Sequence, residues 1–397
     1  MKKVLLLGGS AQQVIAIETA KRLGYYTVLC DYLPDNPGQY IADKFYSLST
    51  TDKEAIFRIS KSEGIDGILA YASDPAAPTA AYVAEKLGLH GNPSKSVEIL
   101  CNKDKFRVFL QENGFNAPQS GGYSASDEVH ADIGRYMLPV IVKPVDSSGS
   151  KGATVLHNLD NLDDAIEFAF SFSRSHRIIV EEFIEKKHPY LIGGDVFIYE
   201  GKIVQWGLLN CHRDANVNPL VPVGKSYPVQ LGAEDLDEVK NTLQRMVNML
   251  GLKAGAMNVE LVVDKHNRVF LIDVGPRSGG NMIPDLLGMV FQTDVVEMSV
   301  QVAMHETLDI KENEGIPYYA THNLHSTMNG IFAGIHYSDE IKSYLVKECI
   351  YKKVGDIVEY FDNASKALGI VFLKFECAEE MESILENINH HIAVIIE

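Results

Sequence analysis

The chain has 397 residues, a formal net charge of −17 and 46% hydrophobic residues. That length and apolar content suit roughly two to four domains with well-packed cores. The acidic balance excludes a general nucleic-acid binder, whose affinity rests on clustered lysine and arginine, and no apolar run is long enough to span a bilayer.

Met1-Lys2-Lys3-Val4-Leu5-Leu6-Leu7 is too short an apolar run for a signal peptide, and Gly8-Gly9 closes it; it reads as a buried first strand. From there to residue 92, strand and helix alternate. Lys3 to Leu7 and Tyr26 to Cys30 are strands around a helix at Gln12 to Leu23. A helix at Thr51 to Ser62, a strand at Gly67 to Ala70 and a helix at Ala76 to Leu87 follow. Such alternation predicts a parallel sheet with helices on its faces. A helix at Asp104 to Asn113 stops at Gly114, with Pro118 beyond. Residues 140–184 read as strand, Gly/Ser loop, strand, helix, strand. Two strands between Tyr190 and Asn210 turn at Glu200-Gly201, and His212 to Pro228 reads as an irregular loop. A periodic helix at Glu234 to Leu250 precedes a hairpin of Val259 to Val263 and Val269 to Val274. Val295 to Met304 is helical. The last segment mixes short strands (Ile370 to Phe375, Ile392 to Ile396) with a helix at Glu379 to Asn387. The five cysteines (Cys30, Cys101, Cys211, Cys349, Cys377) are scattered without a CxxC pair, so a disulfide framework or zinc site is not expected. They suit a reducing, cytoplasmic setting.

The hairpin is the most informative stretch. Each strand carries one acid, Glu260 or Asp273, inside an apolar run, and the second strand leads into Pro276-Arg277-Ser278-Gly279-Gly280-Asn281. Carboxylates in strands that otherwise want burial are costly unless neutralised. A hard divalent cation between them would do that, and a cation with an arginine beside it suits polyphosphate.

Three further constellations bear on chemistry. Gly8-Gly9-Ser10-Ala11, with Asp31 ending the second strand, invites a dinucleotide reading, but Gln12 and Gln13 stand where GxGxxG needs glycines; a tight strand-to-helix turn is the alternative. Lys143 ends a buried strand and points a cation toward Ser147-Ser148-Gly149-Ser150-Lys151-Gly152, a loop able to fold over phosphate oxygens or to be an ordinary turn. Glu181-Glu182-Phe183-Ile184 closes a strand that can present its backbone to an adenine, with Glu181 accepting from the amino group; acids facing solvent are the other reading.

The order of these pieces resembles the ATP-grasp superfamily over residues 1 to about 305. Within that resemblance Lys103, in Asn102-Lys103-Asp104-Lys105-Phe106-Arg107, and Lys143 look like the two lysines that bind ATP phosphates. Ser147, Ser148, Gly149, Ser150 and Gly152 fall on the glycine-rich flap, and Glu181, Glu182, Phe183 and Ile184 on the adenine hinge. Glu260 and Asp273 match the paired magnesium ligands and Arg277 the arginine that steadies the transferred phosphoryl group. The segments Gly334 to Tyr337 and Gly369 to Phe372 resemble the terminal domain of L-amino-acid ligases, and stand-alone carbamoyl-phosphate-synthase-like proteins are similar too. Two departures stand out. The family's Glu-x-Asn-Pro-Arg is replaced by Asp273-Val274-Gly275-Pro276-Arg277, so Gly275 lacks an oxygen ligand for which Asn258 or Asn281 are candidate substitutes. No acid for the ribose hydroxyls follows the hinge, Asp195 being the nearest candidate.

The resemblance implies a multidomain α/β and α+β architecture. It has a Rossmann-like parallel-sheet unit (1–92), a small ATP-clamping lobe (93–185), a large ATP-grasp lobe with the metal site (186–310) and a C-terminal α+β unit (311–397). It implies ATP and Mg²⁺ as cofactors, with Mn²⁺ able to substitute, and Arg277 and Lys143 as the catalytic side chains. The implied reaction joins a small-molecule carboxylate to an amine through an acyl phosphate. Neither nucleic acid nor membrane is an expected partner, and a homodimer is compatible. A catalytically weak ATP-binding regulatory module and a glycinamide-ribonucleotide-synthetase-like enzyme are the alternatives. Arg213 is a candidate grip for a second carboxylate, and His322 with His325 for a metal.

Overall fold

The computed structural model describes residues 1–311 and 313–397. The first strands are β1 (Lys3–Leu7), β2 (Tyr26–Asp31), β3 (Lys44–Ser47) and β4 (Gly67–Leu69), paired in parallel in the order β3-β2-β1-β4. Val4 to Leu7 and Thr27 to Asp31 are buried, as expected where helices cover both faces of a parallel sheet. The Gly8-Gly9 turn is filled by the protein itself. The Asp31 carboxylate accepts from the Gly9 N–H at 2.7 Å, and Gln13 donates to the Tyr71 carbonyl at 2.8 Å. Asp31 therefore has the role of a turn clamp, and the tight-turn reading fits better than the dinucleotide one.

A second, antiparallel sheet holds β5 (Ser120–Tyr123), β6 (Val140–Pro144), β7 (Thr154–Leu156) and β8 (Ile178–Glu182), in the order β5-β8-β6-β7. The largest sheet draws on β9 (Leu191–Tyr199), β10 (Lys202–His212), β11 (Gly224–Tyr227), β12 (Gly255–Val263), β13 (Val269–Gly275) and β14 (Tyr319–Leu324). It extends into the last part of the chain, where β15 (Gly330–Tyr337), β16 (Leu345–Ile350), β17 (Ile357–Val358), β18 (Gly369–Lys374) and β19 (Ile392–Ile396) lie. Its order is β13-β12-β9-β10-β11-β14-β18-β16, eight strands in all, while β17-β15-β19 forms a small separate sheet. The large sheet thus runs across residue 310. β11 falls inside the stretch expected to be an irregular loop, and it joins the sheet's two halves by pairing with both β10 and β14.

The two faces of the large sheet differ. One packs Val196, Met257, Val259 and Leu261 against Val239, Leu243, Met246, Val247 and Leu250 of the helix Ala233–Leu250. Those helical residues recur at helix spacing, so a single apolar stripe meets the sheet. The other face carries Phe197 and Leu209 toward the helix Ile283–Phe291, and along the same face lie Gly193, Asp195, Asn258 and Glu260. Alternation along each strand puts these residues together. Among the described residues no helix is long and apolar enough to cross a membrane.

Candidate active site

The hairpin places Glu260 directly opposite Asp273. Just before that pair the register slips: Leu261 pairs with Leu271, leaving Ile272 as the extra residue of a bulge. A bulge turns carbonyls out of the ladder. Here the Leu271 and Ile272 oxygens both accept from Arg107, at 3.1 and 2.6 Å. Arg107 lies one turn after Lys103 on the helix Lys103–Glu112, so both cations share a face. Lys103 Nζ reaches Asp273 at 3.1 Å and donates to the Ser147 carbonyl at 2.9 Å. Although burial opposes its charge, the Asp273 carboxylate leaves the Lys103 pKa raised.

Lys143, at the end of β6, is buried and ion-paired with Glu181. Arg107 binds the same carboxylate through Nε at 2.8 Å and Nη2 at 3.3 Å. Burial works against ionising Glu181, but Arg107 and then Lys143 hold its carboxyl down at about 2. This corrects one expectation: the Glu181 side chain is buried and committed to two cations, so it does not face an adenine amino group. Of the rest of the hinge, the Glu182 and Phe183 amides donate to the Gln119 and Pro139 carbonyls at 3.0 and 2.9 Å. Ile184 follows them just past the strand.

Arg277 follows β13 and donates through Nε to Asp74 at 2.7 Å, with Nη2 on the second Asp74 oxygen and Nη1 on the Ser278 carbonyl at 3.0 Å. Burial would raise the Asp74 pKa, yet the Arg277 guanidinium keeps it lowered. Asp74 also explains Gly275. A Cβ at that position would come within 2.6 Å of an Asp74 oxygen and 3.2 Å of the Arg277 guanidinium carbon. The space of the family's asparagine is therefore occupied by a carboxylate from the segment after β4. Of the proposed substitutes, Asn258 stands directly opposite Gly275 in the hairpin, but its amide donates to the Gly194 carbonyl and to Asp195, at 2.9 and 2.8 Å, and the Asn281 N–H donates to Gln12 at 2.9 Å. Asp195 is buried, accepts from the Gly279 N–H at 2.8 Å, and has its pKa raised by burial. It is no ribose ligand.

The flap lies against its neighbours. Ser147 contacts Lys103 as above, and Ser150 donates to the Leu220 carbonyl at 2.9 Å. Gly149, Ser150 and Gly152 have positive φ, so the loop uses the left-handed region where glycine is at ease. Ser148 lies close enough to Asp74 to help hold its carboxyl down, after Arg277 and Lys103. Among the described residues His322 and His325 belong to no group that could hold a metal. Burial pushes His322 down to about 3, and His325 meets Asp214 at 3.1 Å. Arg107 and Asp74 were absent from the sequence-based site; the signals that could have found them are the four-residue spacing from Lys103 and a position just past a parallel strand.

A magnesium ion fits this arrangement in part. The half-buried Glu260 side chain makes no hydrogen bond or ion pair with the described residues and stands directly opposite Asp273. Among the described residues no group of three acidic, histidine or cysteine side chains could hold a metal alone. Two carboxylates with phosphate oxygens and water making up the shell is the usual Mg²⁺ pattern.

The fold brings lysine, arginine and carboxylate side chains from the second sheet, the Lys103–Glu112 helix and the large sheet to one place. Residues 136–285 match the family model of the ATP-grasp domain. Among relatives, a Sinorhizobium fredii protein of uncharacterised function is 25% identical over 75% of this chain and 62% of its own length. A formate-dependent phosphoribosylglycinamide formyltransferase of Bacteroides thetaiotaomicron is 25% identical over 70% of this chain and 71% of its own. Among solved structures, the L-amino acid ligase of Bacillus licheniformis superposes with a TM-score of 0.84 at 21% identity, covering 100% of this chain and 99% of that one. The chain thus spans about three fifths to seven tenths of the length of those two sequence relatives.

Proposed function

We propose that this protein is an ATP-dependent ligase that activates a small-molecule carboxylate as an acyl phosphate and couples it to an amine, releasing ADP and phosphate. The observation that carries this reading is the meeting of Lys103, Glu260 and Asp273, with Arg277 just beyond it, from three separate segments, with Lys143 close behind. The lobes 93–185 and 186–310 act as the two jaws on the nucleotide, and the flap Ser147 to Gly152 covers it. Lys103 and Lys143 hold phosphate oxygens, and the backbone from Glu182 to Ile184 receives the adenine. Glu260 and Asp273 would hold Mg²⁺, with Mn²⁺ able to substitute, and the ion would supply charge neutralisation on the phosphates.

A substrate carboxylate oxygen attacks the γ-phosphorus in line, and the bond to the bridging oxygen breaks with its electron pair leaving on ADP. The amine nitrogen then adds to the acyl carbon and loses a proton as inorganic phosphate departs. Such chemistry needs positioning and charge more than covalent help. Asp74 fixes the plane of the Arg277 guanidinium, so the donor is oriented before the phosphoryl group arrives. We place the protein in the cytoplasm, acting on small molecules without nucleic acid or membrane; a homodimer is compatible with this reading.

A non-catalytic ATP-binding regulatory module is the second reading. Gly275, which has no oxygen ligand to offer, favours it. Screening amino acids and small carboxylates, with and without amines, for Mg²⁺-dependent ADP and phosphate release separates the two. Release that requires a particular acid supports the ligase. ATP binding with no turnover for any pair supports the module.

A further inference from the structure

Lys225 is 5% exposed and has no carboxylate within ion-pair distance among the described residues. Its ammonium donates to the Cys211 sulfur, at 2.6 Å. A thiol is a weak acceptor, and a buried cation with no better partner is costly. The side chain also lies where a ligand could use it. Lys225 is on β11, paired with Cys211 on β10, and both belong to the face that carries Gly193 and Glu260. A Cβ on Gly193 would lie 3.0 Å from Lys225 Nζ and 2.7 Å from Cys211 Sγ. The lysine therefore crosses β10 and ends over β9, at the residue that pairs with Glu260. Adjacent strands are about 4.8 Å apart. The ammonium thus sits one strand from the proposed metal carboxylate, in space left open by the absent side chain of Gly193. Just past β10, Arg213 is a second cation without an acidic partner among the described residues, its guanidinium donating to the His212 carbonyl at 3.3 Å.

We propose that Lys225 is the anchor for the carboxylate of the substrate acid, holding it over Gly193 beside the phosphoryl-transfer site, with Arg213 at the rim of the same subsite. This rests on the ligase reading above and gives it a substrate-binding residue. A carboxylate there would complete the lysine's hydrogen bonding and place an oxygen near the γ-phosphate.

The test uses the full chain saturated with Mg²⁺ and a non-hydrolysable ATP analogue. It is titrated calorimetrically with formate, acetate, glycine, L-alanine and L-glutamate, with inorganic phosphate, and with acetamide as the uncharged control. At least one acid should bind and acetamide should not. Lys225→Met should weaken that acid by at least about tenfold, the scale of a lost charge-assisted hydrogen bond. The same variant should keep nucleotide affinity and Mg²⁺ requirement unchanged, which also reports that it folds. Cys211→Ala, which leaves the ammonium in place, should bind the acid as the wild type does. The proposal is overturned if no acid binds the wild type, if phosphate alone binds, or if Lys225→Met binds the acid undiminished. A raised Mg²⁺ requirement in Lys225→Met would overturn it too, since the lysine would then be positioning Glu260. Lys225-dependent acid binding without any ADP release would keep this site and remove the ligase reading instead.

Discussion

Lys143 and Lys225 are both buried lysines, and they are neutralised in opposite ways. Lys143 shares the Glu181 carboxylate with Arg107, and Arg107 in turn satisfies the two carbonyls freed by the bulge at Ile272. That cluster is complete without a ligand and ties β6, β8, β13 and the Lys103–Glu112 helix together. Lys225 has the Cys211 thiol alone among the described residues. The first is charge that holds the fold as well as facing the proposed phosphate site; the second has no such fold-holding partner and is kept for something that arrives. The contrast is testable, because removing one member of a buried charge cluster is expensive whereas removing a lone buried cation is not. Glu181→Gln leaves two buried cations without their carboxylate and should cost about 3–5 kcal/mol. Lys225→Met should leave the denaturation midpoint unchanged or raise it. Equal losses in urea unfolding would break the distinction.

The same cluster sets an acid limit. The folded-state pKa of Glu181, about 2, is below its ordinary value of about 4.3. A depressed carboxyl contributes stability that is present above the unfolded value and lost as pH falls through the folded one. Unfolding measured from pH 5 downward should therefore show stability falling between about pH 4.3 and about 2. Glu181→Gln should flatten that slope; an unchanged acid profile would mean other carboxyls set it.

Arg277 stands between the two lysine types, since it is paired with Asp74 yet offered to the phosphoryl group. Arg277→Ala should lower kcat at least about a hundredfold, the usual scale for losing one oriented donor to transition-state charge. Asp74→Asn keeps the guanidinium but loosens its plane, so a smaller fall is expected. Turnover of Arg277→Ala at the wild-type rate would remove the arginine from the mechanism. The substrate found by the screen serves for both measurements.

The hairpin was legible because Val259 to Val263 and Val269 to Val274 are short apolar runs, each broken by one acid, around a polar turn; the strands run Gly255–Val263 and Val269–Gly275. The bulge at Ile272 was not, since nothing in Leu271-Ile272-Asp273 marks an extra residue. Strand β11 was hidden more deeply. Gly224, Lys225 and Ser226 have no apolar alternation, and their burial comes from β10 on one side and from β14, nearly a hundred residues away in sequence, on the other. Tertiary context overrides such weak local preference. Asp74 was invisible for the same reason: its meaning depends on Gly275, which brings no side chain of its own.

Gly193 offers the finest test of where the Lys225 ammonium lies. Gly193→Ala adds a Cβ 2.7 Å from Cys211 Sγ and 3.0 Å from Lys225 Nζ. Lysine can swing its far end away, but the Cys211 sulfur is itself buried and can move little. Overpacking of this kind costs about 1–3 kcal/mol, seen as a lower urea midpoint. It should also weaken binding of the acid, because the displaced ammonium no longer ends beside Glu260. Adding Cys211→Ala to Gly193→Ala removes the tighter contact and leaves the lysine one. Stability should then recover in part while acid binding stays weak. If instead Gly193→Ala binds the acid as tightly as the wild type, the ammonium is not confined over β9, and the difference between the two lysines is one of burial alone.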